Sequence, residues 1–224
     1  CSSDLMASYF MMSLEQALGK IGYSLSLHLI TDYELSNQLL PASFHIQNTD
    51  AILALEIFNR NYCEFLCTLG KPILFSDIYS TFTQGDLSAD ILVADNYTAS
   101  VKLYSSVIED CKPKSIGFLG DPDYSLSFQD RFKGFLSVTQ KYGFSDSYKN
   151  HSIISNIQNF QNDIWMQNKF KTLEIPNLLV CANDILAMKA LTCLERLNIK
   201  VPDEVMVCGY DGTPAISSLY PALT

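Results

Sequence analysis

Across 224 residues, hydrophobic side chains make up 48% and the formal net charge is −9, with 15 lysines and arginines against 24 acids. That balance suits a globular chain long enough for one large domain or two lobes, and it excludes a disordered one. A surface so poor in cations lacks the basic face that phosphate contacts require, so any action on DNA belongs to a part outside this chain.

The longest apolar runs cover only several residues, too few to span a bilayer, and the chain is read as having no membrane contact. No basic start followed by an apolar core marks a targeting signal. The seven cysteines, at 1, 63, 67, 111, 181, 193 and 208, form an odd and scattered set. Such spacing points to free thiols in a reducing cytoplasm rather than a disulfide framework. Cys63 and Cys67 stand one helical turn apart, a spacing that can pin a metal, but His28, His45 and His151 are distant in sequence. Buried thiols are the better reading, and neither a metal nor a cofactor is expected.

In chain order, Met6, Phe10, Ala17 and Ile21 mark a first helical stripe, followed by the strand-like run "YSLSLHLI" (23–30). Further strands are predicted at "AILAL" (51–55), "PILFSD" (72–77) and "ILVAD" (91–95). A second helical stripe carries Val101, Tyr104 and Ile108. The strand "SIGFLGD" (115–121) leads into a third stripe of Phe128, Phe132, Phe135 and Tyr142. Then come "HSIIS" (151–155), "NLLVCAND" (177–184), a stripe of Ala187, Leu191, Leu194 and Leu197, and "VMVCGYDG" (205–212). Most of these strand runs are continuously apolar, as in strands buried on both faces. Capping residues stand before the helices: Asp95-Asn96, Ser127 with Asp130, and Asn183-Asp184. Strand and helix alternate almost throughout, the mark of an α/β architecture with parallel sheets and right-handed crossovers. The polar stretch "EDCKPKS" (109–115) divides the chain into lobes at 1–112 and 113–224.

In parallel sheets ligands bind beyond the carboxyl ends of the strands. Asp77, Asp95, Asp121, the Asn183-Asp184 pair and Asp211 all follow apolar runs directly. Repeated acids and amides there suit adjacent hydroxyls of a polyhydroxylated ligand, although Asp95, Asn183 and Asp184 each also read as helix caps. Arg131 falls early in a helix, where the macrodipole disfavours a cation. It either pairs with a nearby acid or aims its guanidinium into a cleft. Asp211 stands in "GYDG" at a strand end, placed to bind or to turn the chain. Tyr9 and Phe10 sit in the first helix, where aromatics ordinarily serve a core. Nucleophile elbows, Walker loops, dinucleotide fingerprints and paired metal histidines are absent from the sequence, and the chain is read as not an enzyme.

Three blocks, "SIGFLGDPDYSLSFQDRFKGF", "PNLLVCANDILAMKALTCLERLNIKVPDEVMVCGYD" and "YPALT", resemble the effector-binding core of the lactose-repressor family of bacterial transcription regulators. The resemblance is colinear over nearly the whole chain. It implies two Rossmann-like lobes of the periplasmic-binding-protein type I, joined by three crossovers and closing on a small molecule. It also implies a strand ahead of Cys1, a return crossover beyond Thr224, and a DNA-reading head outside this chain. Carried over by motif, it makes Arg131 and Asp211 ligand-binding candidates, with Asn183 and Asp95 at the cleft and Tyr9 and Phe10 facing the ligand. Phe160 is the residue nearest to the family's stacking aromatic, without a clear match.

Two functions follow from the resemblance. One is the sensing domain of a homodimeric cytoplasmic repressor, in which an effector, a sugar or else a nucleobase, shifts the affinity of absent N-terminal heads for operator DNA. The other is an extracytoplasmic sugar-binding receptor of an uptake system, a reading to which Cys1-Ser2-Ser3 and Gly212 lend some support.

Overall fold

The computed structural model describes the backbone of residues 2–79 and 85–212, and the side chains of 11–79 and 85–212. Helix α1 (Ser2–Lys20) is followed by the short α2 (Asp32–Asn37). Strand β1 (Ile52–Ile57), α3 (Arg60–Cys67), β2 (Ile73–Ile78) and β3 (Asp90–Leu92) come next, then α4 (Asn96–Cys111). The remainder runs β4 (Ile116–Gly120), α5 (Leu126–Tyr142), β5 (Ile153–Ile154), α6 (Ile157–Gln161), α7 (Asp163–Thr172), β6 (Leu178–Cys181), α8 (Asp184–Arg196) and β7 (Met206–Cys208).

The described strands make two parallel sheets, ordered β1-β2-β3 and β5-β4-β6-β7. Every residue of β4 and β6 is buried, which is why their sequences are apolar without alternation. Helices flank the sheets, as expected of crossovers between parallel strands. One core gathers Phe75, Ile78, Tyr62 and Leu66 around the first sheet. A larger one gathers Phe118, Phe135, Val180 and Leu194 around the second. Among the described residues, no helix is long and apolar enough to cross a membrane.

Local chemistry sets the helix bounds. Ser125 accepts from the Phe128 N–H at the start of α5, and Gly143, with φ of 80°, closes it by donating to the Thr139 carbonyl. Ser125 is therefore the cap, two residues ahead of the Ser127 expected from the sequence. Helices α4 and α5 cross so tightly that a Cβ on Gly134 would lie 2.6 Å from Ser100 Cβ, which is why glycine stands there.

Two expectations are corrected. The run 23–30 forms no strand: Tyr23, Leu27 and Leu29 are exposed, and no described strand pairs with it. An alternating pattern prepares a face for a sheet, but a ladder also needs a neighbour. Ile21 lies beyond the end of α1 and is exposed. Helix α4 contributes Tyr104, Val107 and Ile108 to the second core. In packing terms the change of core precedes Asn96, because the apolar stripe of α4 meets α5 and the second sheet.

Candidate ligand-binding site

The polar residues converge beyond the carboxyl ends of the strands. Arg131, in the second turn of α5, is the centre. Its Nη1 donates to the Ala182 carbonyl at 2.7 Å, just past β6, and to Asp211 Oδ1 at 3.2 Å, past β7. Its Nε donates to Asn96 Oδ1 at 3.3 Å, at the start of α4. The Tyr210 ring covers the guanidinium, with Cζ 3.8 Å from the ring centroid, and Phe128 lies at 5.6 Å. Both Arg131 and Asp211 are largely buried, at 12% and 21% side-chain exposure, so solvent screens the pair little.

Burial pushes the Asp211 carboxyl above the ordinary aspartate range. Arg131 and the Asp184 N–H oppose that push, and the Asp184 charge adds to it. Glu56, near the end of β1, is likewise raised, first by loss of hydration and then by repulsion from Asp77 and Asp211. Glu56 and Asp77 stand side by side on adjacent strands, given the register Leu55↔Ser76 and Ile57↔Ile78, and both have left-handed φ, 54° and 52°. Such backbone is uncommon for residues other than glycine and concentrates at functional sites.

Asp77 reaches from the first sheet to the second lobe. Its carboxylate accepts from Ser127 Oγ at 2.6 Å and from the Ser127 N–H at 3.3 Å, at the first turn of α5. Beside it, the Phe58 and Tyr124 rings meet at 4.6 Å, and Leu126 packs on the first core. An anion at the N-terminus of α5 offsets the unfavourable placing of Arg131 near that positive pole.

Of the residues singled out from the sequence, Arg131 and Asp211 are brought together. Asn183 stands next to Ala182 and caps α8, its Oδ1 accepting from the Leu186 N–H at 2.9 Å. Asp95 is not brought to Arg131. It caps α4 from an exposed position, and the Thr98 N–H that it accepts holds its carboxyl below the usual range. The neighbouring Asn96, 6% exposed, makes the contact instead. The side chains of Tyr9 and Phe10 lie outside the described residues, as does "YPALT". Phe160 is buried in the second core against Trp165 and presents no stacking face. The strand-end Asp121 is taken up by the Ile157 and Asp123 N–H groups.

Sequence reasoning missed Asn96, Tyr210 and Ser127. For Tyr210 a signal was present, since an aromatic immediately before a candidate binding acid is placed to cover that acid's cationic partner. Cys63 and Cys67 do share a face of α3, but burial drives the Cys63 thiol up to about 12, which suits a buried thiol rather than a metal ligand. Among the described residues no group of His, Cys, Asp or Glu is arranged to hold a metal ion.

Residues 112–224 match the model of the periplasmic binding protein-like domain. The HTH-type transcriptional regulator RegA of Clostridium saccharobutylicum is 32% identical over 120 residues, covering 50% of this chain and 33% of that protein. The ribose operon repressor of Bacillus subtilis (strain 168) is 28% identical over 212 residues, covering 94% of this chain and 61% of that protein. The solved complex of the transcriptional regulator CelR with cellobiose superposes with a TM-score of 0.76 at 16% identity, over 95% of this chain and 64% of that one. The structural likeness speaks for the fold, and the chain spans between a third and about three fifths of the two curated relatives. By their names, one relative is a transcriptional regulator and the other an operon repressor. With a family match over half the chain, two parallel sheets and a polar cluster at their carboxyl ends, this chain belongs to the periplasmic binding protein-like domain family.

Proposed function

We propose that this domain binds a sugar between its lobes, as the sensing part of a DNA-binding transcriptional repressor. The Arg131–Asp211 pair is the observation that carries the reading. Arg131 commits Nε to Asn96 and Nη1 to Ala182 and Asp211. Among the described residues, its Nη2 meets no acceptor. Two N–H donors beside a carboxylate match adjacent hydroxyl groups, each of which both donates and accepts. The name of the Bacillus relative and the cellobiose bound to CelR support a sugar. A nucleobase would call for a free aromatic face, and the Tyr210 ring already lies against the guanidinium.

In this reading the ligand touches strand ends of both lobes and so favours their closed arrangement. The change in lobe orientation then alters the affinity of a DNA-reading head outside this chain, in a cytoplasmic homodimer. The regulator reading is preferred to that of an uptake receptor because the two relatives described above are regulators.

Thermal unfolding of the full-length protein with a panel of pentoses, hexoses, cellobiose and nucleobases tests the proposal. A ligand at a hundred times its Kd stabilises by about 2.7 kcal/mol. The expected result is a sugar-dependent rise in Tm for the wild type and none for Arg131→Ala or Asp211→Ala, both still folded. A full response in both variants, or a response confined to nucleobases, refutes it.

A further inference from the structure

Tyr210 and Asp211, which hold Arg131 from two sides, lie beyond the end of β7 at Cys208, outside the sheet's own hydrogen-bond ladder. Their backbone is fixed from elsewhere. The Asp184 carboxylate, at the first position of α8 and 2% exposed, accepts the Tyr210 N–H at 2.8 Å and the Asp211 N–H at 3.0 Å, both on Oδ1. In return the Asp184 N–H donates to Asp211 Oδ2 at 3.3 Å. The start of one helix and the loop after the neighbouring strand are thus tied reciprocally. The N-terminal pole of α8 favours the negative charge that makes the tie.

We propose that Asp184 is a positioning residue for the interlobe site. By holding the backbone of Tyr210 and Asp211 it aligns the ring and the carboxylate with Arg131, and so sets effector affinity without touching the effector. The proposal rests on the interlobe binding reading for its consequence, but the alignment itself is measurable without any ligand. Binding groups perform only when their own supports hold them within a fraction of an ångström. Oxygen acceptance is the property that matters, so asparagine should replace Asp184 and alanine should not. The charge has a separate effect, because the Asp184 carboxylate adds to the upward push on Asp211.

The test uses isotope-labelled full-length protein, observing the Arg131 Nε–H signal and the pH titration of the Asp211 carboxyl carbon. In Asp184→Asn the Arg131 signal stays in place and the Asp211 titration moves to lower pH. In Asp184→Ala the Arg131 signal shifts and exchanges with solvent about tenfold faster, while the ladder amides of Val180 and Cys208 are unchanged. An Arg131 signal unmoved in the alanine variant overturns the proposal. Should that variant fail to fold, an Arg131 signal displaced in the asparagine variant, which keeps the accepting oxygen, overturns it instead. With cellobiose and the monosaccharide panel as probes, affinity falls about tenfold in the alanine variant and is kept in the asparagine variant. Equal losses in the two also overturn the proposal. Failure of the interlobe reading looks different: Asp184→Ala disturbs Arg131, yet no sugar moves the wild-type Arg131 signal.

Discussion

Replacing Ser127 with alanine removes the hydroxyl that ties α5 to the first sheet. The Ser127 Oγ to Asp77 Oδ2 distance is 2.6 Å, Ser127 is buried and Asp77 is half-buried. A hydrogen bond to a charged group of this kind contributes about 1.5–3 kcal/mol. The Ser127 N–H still donates to Asp77, and the Phe58–Tyr124 and Leu126 contacts remain, so part of the tie survives. We expect a loss of about 1.5–2 kcal/mol for Ser127→Ala, the lower part of that range. Asp77→Asn is the matching variant, because asparagine tolerates the left-handed φ of 52° that alanine would strain. Urea unfolding of both single variants and the double variant gives the coupling. At a slope of about 1–3 kcal/mol per molar urea, a change of 1 kcal/mol moves the midpoint by about 0.3–1 M. Losses that add within about 0.5 kcal/mol would show that the two side chains do not act on each other, and the bridge between lobes would fall with them.

Gly134→Ala forces a methyl into Ser100 Cβ at 2.6 Å and toward the Tyr97 carbonyl at 3.3 Å, and should cost about 1–3 kcal/mol of stability. A thermal midpoint equal to the wild type would refute the tight α4–α5 crossing. Asn183→Ala removes the cap of α8 and should lower stability by about 1 kcal/mol, measured by urea unfolding, whatever its effect on binding. Asp211 gives a pH signature. Its native carboxyl is raised, so above the ordinary aspartate value of about 3.9 the folded chain holds its proton more firmly than the unfolded one. Stability measured relative to Asp211→Asn should therefore fall as pH rises through the window from that value to the raised one, and level off beyond it. A difference independent of pH would refute the raised value.

The α/β class could be read from the chain because β4 and β6, buried on both faces, are apolar without interruption, and because Asp95 and Asn183 cap the helices they precede. Arg131 drew notice for a local reason, a cation near the positive end of a helix, and Asp211 for ending a strand. These are properties of single segments, and the sequence alone determines them. The partners were not legible. Arg131 finds Asn96 35 positions away and Asp211 80 positions away, and Ser127 finds Asp77 at a distance of 50. A short polar residue at a strand end serves equally as cap or as ligand contact. Only the approach of a second element decides, and it chose Asn96 over Asp95 and left Ser125 as the cap while Ser127 crossed to the other lobe. The same holds for 23–30 and for α4, whose apolar patterns specify a buried face but neither a neighbouring strand nor a particular core. Periodicity records which side of a segment avoids water; tertiary structure decides what covers it, because that depends on contacts between segments far apart in the chain.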